Sequence, residues 1–320
     1  MEYSRRSILR TGFAGAIGAA GMSVALNALA EPSIAVLSSA DIVLDAPGFR
    51  LRQARVNGVE VNYAVAGQGP AILLLHGWPF TWFTWHRLIP ELARNFTVIA
   101  PDMRGIGGSS KPDAGYDVQT LADDVAALLA YEGVQKTAVL GHDLGVGVAF
   151  MLAQRHSELV SKLILTESIV LGAPHTDLFM RNPPWWVAFH NVPELPEALV
   201  AGKEGPYLDW FFTNLTHEKV GISPVARNQH ITAYSQPGGM KGGFDHYRAF
   251  PMTIEQGREA AQQRLRIPVL ALGGELVGDV LYRQMAAIGD NVTGGKIDRT
   301  GHVIQEENPD ELLRRLRVFL

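Results

Sequence analysis

One aspartate lies where a tight turn joins an apolar run to a helix-like segment. Residues 137–140 lead directly into Gly141-His142-Asp143-Leu144-Gly145, and an apolar pattern with helical spacing follows. A sharp strand-to-helix turn tolerates only small flanking residues and lifts its central side chain above the sheet, as the Gly-x-nucleophile-x-Gly pattern requires. A lone aspartate at such a place usually caps the helix, but the strand before it and the helix after it favour a nucleophilic carboxylate.

Two further motifs accompany this aspartate in the chain order expected for a nucleophile that works with a histidine. His76-Gly77-Trp78-Pro79 closes a short apolar run, and Thr300-Gly301-His302 lies near the C-terminus. The backbone N–H groups of Trp78 and Leu144 would form an oxyanion hole. His302 would be the general base, because it comes after the nucleophile and before the closing helix.

Three acidic residues are candidates for the group that orients His302. Glu167 comes at the end of a predicted strand and is favoured, whereas Glu275 and Asp279 follow the next predicted strand and remain alternatives. A solvated loop would equally explain the two alternatives. An acid at any of these positions would hold the imidazole in the tautomer that accepts a proton from water.

A carboxylate nucleophile limits the reaction that this site could perform. Attack on an ester would give an anhydride, whereas displacement at a saturated carbon gives an alkyl-enzyme ester. His302 would then activate water against the Asp143 carbonyl, while the oxyanion hole holds the developing charge. The expected substrate is therefore a small apolar epoxide or alkyl halide, and neither a metal nor an organic cofactor is required.

Polar side chains in the region 169–251 could stabilise the leaving group. Tyr247 could protonate an epoxide oxygen, a role that suits tyrosine or histidine, whereas the indole N–H of Trp186 suits a halide. His190 is a further donor in the same region. Each of these aromatic residues could equally belong to a packed core.

Alternating apolar runs and helical patterns predict the elements that position these residues. A helix is predicted at 118–129, where apolar residues recur at helical spacing. The alternation predicts an α/β fold with a mostly parallel, doubly wound sheet. The short apolar runs that predict buried strands are 71–75, 97–100, 137–140, 162–166 and 268–272, and 295–297 is also strand-like.

The stretch 169–251 breaks this alternation, because it is rich in proline, tryptophan and paired glycines. We interpret it as an inserted helical cap over the carboxyl edge of the sheet, where such folds bind ligands. The sheet domain would then comprise 45–168 and 252–320. We refer to 169–251 as the predicted cap.

The first residues of the chain resemble an export signal. Arg5 and Arg6 precede a glycine- and alanine-rich apolar stretch at 12–29, and Ala28-Leu29-Ala30 gives the small-x-small pattern that signal peptidases need. This order is similar to a twin-arginine signal, although a short membrane anchor is the alternative. We expect residues 1–30 to be removed, the protein to be periplasmic or secreted, and membrane contact to occur only during export.

Composition excludes several other classes. The 320-residue chain has a net charge of −4 and scattered lysines and arginines, so nucleic acid is not an expected partner. The absence of cysteine rules out disulfides, thiolate metal sites and a cysteine nucleophile. The sequence is compatible with a homodimer but does not decide the oligomeric state.

These motifs, together with stretches of the predicted cap, resemble one branch of the α/β-hydrolase superfamily. The segments similar to the caps of bacterial epoxide hydrolases are Tyr234-Ser235-Gln236-Pro237-Gly238, Tyr247-Arg248 and Leu199-Val200-Ala201-Gly202-Lys203-Glu204. From 49 to 320 the chain resembles the epoxide hydrolase and dehalogenase branch, and it is most like exported bacterial epoxide hydrolases of the Cif kind. The resemblance implies an α/β-hydrolase fold in which Tyr247 opens the epoxide ring and Glu167 orients the histidine.

Departures from the family pattern bear on the leaving group. Trp186 stands where the family's ring-opening histidine is expected, which would allow a halide donor. Haloalkane dehalogenases place tryptophan after the nucleophile and asparagine in the oxyanion turn, where this chain has Leu144 and Trp78. Haloacetate dehalogenases carry arginines just after the nucleophile, where this chain has Leu144 and Gly147. Epoxide hydrolysis is therefore the first hypothesis, dehalogenation the second, and a non-catalytic binding protein on the same fold the third.

Overall fold

The described chain is built on one sheet. The structure, a computed structural model, describes residues 44–320, so the predicted signal segment 1–30 lies outside the described residues. Within this range the eight strands are β1 (Arg50–Val56), β2 (Val59–Ala66), β3 (Ala71–Leu75), β4 (Thr97–Pro101), β5 (Thr137–His142), β6 (Val160–Thr166), β7 (Val269–Gly273) and β8 (Val292–Lys296). Their order across the sheet is β1-β2-β4-β3-β5-β6-β7-β8.

Most neighbouring strands are parallel, which confirms the predicted sheet. β2 pairs antiparallel with both β1 and β4. All pairs from β4 through β3, β5, β6 and β7 to β8 are parallel. Parallel strands bring their carboxyl ends to one edge, where open α/β sheets bind ligands. The turns that carry the candidate site residues therefore converge at this edge.

Helices cover both faces of the sheet, so its central strands are buried on both sides. Along β3, Leu73 and Leu75 belong to one apolar layer, and Ile72 and Leu74 belong to the other, as side-chain alternation in a strand requires. The first layer contains α2 (Val118–Tyr131), α3 (Leu144–Arg155) and α11 (Val280–Ile288); the second contains α1 (Ile89–Leu92), α12 (Ile304–Glu307) and α13 (Pro309–Phe319).

A group of helices separates β6 from β7, in the predicted cap and just beyond it. They share an apolar cluster that includes Phe211, Phe244 and Tyr247 and also takes in Trp78 and Phe80 from the turn after β3. None of the helices within residues 44–320 is long and apolar enough to cross a membrane. The seven α-helices of this part of the described chain are α4 (Thr176–Arg181), α5 (Trp185–Asn191), α6 (Leu195–Val200), α7 (Glu204–Asn214), α8 (Pro224–Tyr234), α9 (Gly239–Arg248) and α10 (Phe250–Ala260).

The last strand lies earlier in the chain than its apolar pattern suggests. The sequence reads as strand-like at 295–297, but β8 begins at Val292 and contains Gly294 and Gly295, with φ of 132° and 120°. A Cβ on Gly294 would lie 1.9 Å from the carbonyl oxygen of Ala271, so the close approach to β7 requires glycine. Because glycine carries no strand signal, the pattern places this strand too late.

Candidate active site

Asp143 occupies a strained turn between β5 and α3. Its backbone has φ 52° and ψ −121°, a combination that non-glycine residues rarely adopt and that concentrates at functional sites. A Cβ on Gly141 would lie 2.4 Å from the carbonyl oxygen of Gly145, and one on Gly145 would lie 2.4 Å from that of Leu75. Both flanking glycines are therefore required by close backbone contacts, as the motif predicts.

The turn after β3 supplies a hydrogen bond to the carboxylate. The N–H of Trp78 donates to Asp143 Oδ1 over 2.7 Å. Leu144 is the first residue of α3, where backbone N–H groups have no acceptor within the helix. A Cβ on Gly77 would lie 2.3 Å from the Asp143 Cβ, so glycine is needed for this approach. Of the two predicted oxyanion donors, Trp78 thus contacts the carboxylate, and Leu144 directly follows Asp143 in the chain.

A buried histidine supports the oxyanion turn. His76 Nε2 accepts the N–H of Met103 over 3.1 Å, which leaves Nδ1 to donate to the carbonyl oxygen of Gly77 over 3.0 Å. Burial lowers the pKa of His76 to about 4, so the imidazole stays neutral. Its role was not predicted, although His76 directly precedes Gly77 in the motif and position alone could have suggested it.

His302 lies between two carboxylates. Its Nε2 is 3.3 Å from Asp143 Oδ2, and its Nδ1 is 3.5 Å from Glu167 Oε2. The carbonyl oxygen of His302 accepts a hydrogen bond from His142 Nε2 over 2.8 Å. The residue before the proposed nucleophile therefore also holds the histidine loop, a second role that the sequence did not predict.

The geometry favours Glu167 over the other two candidate acids. Glu167 is almost fully buried, and its second carboxylate oxygen accepts a backbone N–H from the turn after β7. Glu275 instead lies 2.8 Å from His217, and Asp279 pairs with a neighbouring arginine over 2.6 Å. Both alternatives are engaged elsewhere, so neither is placed to orient the imidazole.

The pKa values of Asp143, His302 and Glu167 depend on one another. Burial alone would raise the pKa of Asp143, but the hydrogen bond and charge of His302 outweigh it and hold this pKa below its usual 3.8. Burial likewise disfavours the imidazolium, but the hydrogen bonds and charges of Asp143 and Glu167 raise the pKa of His302 to about 10. Burial raises the pKa of Glu167 despite its contact with the histidine. In the resting site, a carboxylate is thus paired with a protonated imidazole.

Asp143 lines a cavity of about 340 Å³ together with Glu167 and His302. No lysine or arginine occurs among the described residues of its wall, a composition that suits a neutral, apolar molecule. Tyr116, His246 and Thr253 add polar groups that the sequence pattern did not single out. Apolar residues that line the cavity include Val118, Leu121, Phe150, Met151, Phe179 and Phe250.

Tyr247 and Trp186 line the same cavity as Asp143. Burial and the charge of Asp143 raise the pKa of the Tyr247 hydroxyl well above 10, so it remains protonated. The Trp186 side chain forms a hydrogen bond with Tyr247 that partly opposes this shift. The structure therefore brings together the proposed nucleophile and two of the predicted leaving-group donors.

His190 is the predicted donor that lies away from the cavity. It is fully buried, its ring centroid is 4.5 Å from those of both Phe244 and Tyr247, and its Nε2 is 2.5 Å from the Tyr207 hydroxyl. Burial lowers its pKa to about 3, so the ring is neutral. Aromatic rings of α7 and α9 cover His190, one turn beyond Trp186 on α5, so it is not placed to contact a leaving group directly.

A doubly wound sheet with an aspartate at the strained turn and a histidine between two acids has the architecture of an α/β-hydrolase. Residues 70–214 match the alpha/beta hydrolase fold family. The chain is 36% identical over 272 residues to a soluble epoxide hydrolase from Corynebacterium sp. (strain C12), covering 80% of this chain and 92% of that protein. It is 27% identical over 290 residues to a fluoroacetate dehalogenase from Burkholderia sp., covering 85% and 94%. The solved structure of the epoxide hydrolase CorEH matches with a TM-score of 0.79 and 33% identity, covering 85% of this chain and 98% of that chain.

The chain belongs to the α/β-hydrolase family, and its relatives include epoxide hydrolases and a dehalogenase. The resemblance seen in the sequence is confirmed for fold and family, and the protein is a hydrolase of this family. Its likeness to exported epoxide hydrolases stays a prediction.

Proposed function

We propose that the protein converts neutral, apolar epoxides to diols through a covalent ester on Asp143. The observation that carries this proposal is that an ionised Asp143 and a protonated Tyr247 line one cavity whose described wall has no lysine or arginine. A carboxylate needs an electrophilic saturated carbon, and an epoxide oxygen needs a proton donor as the ring opens. The similarity to a soluble epoxide hydrolase supports the same chemistry.

The first step forms the ester. Asp143 Oδ2 attacks a ring carbon, since Oδ1 is held by the Trp78 N–H. The bond between this carbon and the ring oxygen breaks, and the freed oxygen takes the proton of the Tyr247 hydroxyl. The products are a hydroxyalkyl ester and a tyrosinate, and the hydrogen bond from Trp186 favours that charged form of Tyr247.

Ester formation prepares His302 to act as a base. The ester removes one of the two negative charges that raise the pKa of His302 to about 10, so this pKa falls. The imidazolium proton then passes through solvent to the tyrosinate of Tyr247. This transfer restores the tyrosine and leaves a neutral imidazole beside the ester.

The second step hydrolyses the ester. Neutral His302 takes a proton from water as the hydroxide adds to the carbonyl carbon of Asp143, and the N–H groups of Trp78 and Leu144 hold the oxyanion. The carbon–oxygen bond to the diol then breaks, and the leaving alkoxide takes the proton of the newly formed carboxylic acid. The Asp143 carboxylate is regenerated beside an imidazolium, as in the resting site.

A dehalogenase is the second candidate, because Trp186 offers an indole N–H beside Tyr247 in the cavity. The similarity to a fluoroacetate dehalogenase supports this alternative, in which Asp143 would again be the nucleophile. A haloacid would need a cation to bind its carboxylate. Leu144 and Gly147 line the wall, and among the described residues no lysine or arginine lines it. The alternative substrate is therefore a neutral alkyl halide.

Product analysis separates the two candidates. The purified protein is incubated with terminal and aryl epoxides and with haloalkanes of similar size, and both diol formation and halide release are measured. The proposal predicts diols from epoxides at rates well above those of Asp143→Ala. Steady halide release without epoxide turnover would overturn it. Saturable epoxide binding without either product would instead favour a binding protein on the same fold.

We further propose that residues 1–30 direct export by the twin-arginine route and are then removed. Arg5 and Arg6 before an apolar stretch, and Ala28-Leu29-Ala30 after it, support this proposal. N-terminal sequencing of the exported protein should find a chain that begins at Glu31. Replacement of both arginines by lysine should retain the protein in the cytoplasm. An exported chain that still begins at Met1 would contradict the removal of the segment.

A further inference from the structure

One carboxylate ties the histidine loop to the segment that follows α7. Glu307 Oε2 accepts the N–H groups of His217 over 2.6 Å and Gly301 over 3.0 Å, and Oε1 accepts the N–H of Val303 over 2.8 Å. Gly301 and Val303 are the immediate neighbours of His302. The two oxygens of one side chain therefore fix the backbone on both sides of the proposed base.

The same two segments are in direct backbone contact. The N–H of His302 donates to the carbonyl oxygen of Leu215 over 2.7 Å. A Cβ on Gly301 would lie 2.5 Å from this oxygen and 2.5 Å from the backbone nitrogen of His217, so the approach requires glycine. Leu215 also lines the cavity. The loop that carries His302 and one part of the cavity wall thus share a common support.

The backbone and Oδ1 of the proposed nucleophile are held separately from His302, which contacts only Oδ2. Asp143 is held by the strained turn before α3 and by the Trp78 N–H over 2.7 Å. Neither contact involves Glu307. Loss of the Glu307 carboxylate should therefore disturb the base while the nucleophile stays in place.

We propose that Glu307 is a positioning residue that sets the orientation of His302 for the hydrolytic step. This inference rests on the proposed function, in which Asp143 forms the ester and His302 activates the water that cleaves it. Hydrogen bonds from amides to a carboxylate are charge-assisted and stronger than neutral ones. A displacement of about 1 Å at a reacting group slows a step about 100-fold. Removal of the carboxylate should therefore slow ester hydrolysis roughly 10- to 100-fold and leave ester formation within about twofold of the wild type.

Rapid quenching followed by intact-protein mass measurement resolves the two steps, with styrene oxide as the probe. Glu307→Ala should accumulate the alkyl-enzyme, because the ester forms normally and decays slowly. Glu307→Gln keeps one carbonyl oxygen and should restore part of the decay rate. Glu306→Gln is the matched control on the same helix, because the Glu306 carboxylate lies 3.3 Å from His86 and 3.7 Å from Arg87 instead. Both steps should keep their wild-type rates in this control.

The possible outcomes distinguish this inference from the proposed function. If His302→Gln forms no alkyl-enzyme, the proposed function itself fails. If His302→Gln traps the ester but the Glu307 variants hydrolyse it at the wild-type rate, the positioning role is wrong. Equal slowing of both steps, or the same loss in Glu306→Gln, would also overturn it, because general structural damage would then explain the result. Should Glu307→Ala fail to fold, Glu307→Gln decides by the same two rate constants.

Discussion

Two walls of the cavity are fixed by different means. In the sheet wall (Asp143, Trp78 and His302), backbone hydrogen bonds and close glycine contacts set the positions. In the cap wall (Tyr247 and Trp186), packing among aromatic rings sets them, as in the 5.0 Å separation of the Tyr247 ring from that of Phe250. Close backbone contacts tolerate little change, whereas packed apolar side chains tolerate replacements of similar volume. We infer that the sheet wall supplies the nucleophile and the base, whereas the cap wall supplies the donor to the leaving group and so determines which molecules react.

The largest expected effect comes from the sheet wall. Asp143→Ala should lower the rate of diol formation by at least about 10⁴-fold, because removal of a nucleophile leaves only the residual contribution of binding and the oxyanion donors. Initial rates with an epoxide measure this loss, and a thermal melt by circular dichroism checks that the variant is folded. Retention of even a few per cent of the wild-type rate would contradict a covalent role.

A smaller but selective effect is expected from the cap wall. Tyr247→Phe keeps the ring packing but removes the hydroxyl, so ester formation should slow roughly 10²- to 10³-fold, as expected for loss of a general acid. Hydrolysis of an ester that has already formed should proceed at the wild-type rate. Single-turnover kinetics separate the two rate constants. Equal slowing of both steps would show that Tyr247 does more than protonate the leaving oxygen.

The two steps should also differ in their dependence on pH. The pKa of Asp143 is held below 3.8 and that of Tyr247 is raised well above 10, so the rate of ester formation should be flat between these values. Hydrolysis requires neutral His302, whose pKa in the ester lies below the value of about 10 in the resting site. Below this pKa, the hydrolysis rate should fall about tenfold per pH unit as the imidazole becomes protonated. Single-turnover rates across the pH range test both statements, and an acid decline in ester formation would contradict the assignment.

The smallest expected effect belongs to Trp186. Trp186→Phe retains most of the ring volume but loses the N–H that bonds to Tyr247, so epoxide turnover should fall only about five- to tenfold, as for loss of a single hydrogen bond. The ratio of epoxide to haloalkane turnover, measured in the wild type and in Trp186→Phe, shows which of the two candidate reactions depends more on this residue. A fall in halide release that greatly exceeds the fall in diol formation would favour the dehalogenase.

The sheet wall could be predicted in large part from the sequence. Its two motifs, Gly141–Gly145 and His76–Pro79, are continuous in the sequence. Their glycines indicate close contacts that no larger residue allows. The position of Glu167 after a strand favours it as the acid that orients His302 but does not exclude Glu275 and Asp279, because both also follow a strand at the same edge. Only the burial of Glu167 and the pairing of Glu275 with His217 distinguish them.

The cap wall and the supporting residues were less accessible to sequence reasoning. Helical spacing does not indicate which aromatic ring faces a cavity, so the sequence offers both Trp186 and His190 as donors, although of these two only Trp186 lines it. Glu307 accepts a backbone N–H from His217, and His76 accepts one from Met103, so both contacts join segments that are distant in the sequence. Such contacts leave no motif, because any segment presents the same amides and carbonyls.

The most direct measurement concerns the bond between Asp143 and the substrate. His302→Gln protein is incubated with an epoxide that the wild type turns over and is then digested, and the peptide that contains Asp143 is weighed by mass spectrometry. The proposed mechanism predicts that this peptide gains the mass of the epoxide, and that the gain disappears when Asp143→Ala is added to the variant. An unmodified peptide under these conditions would contradict covalent catalysis by Asp143.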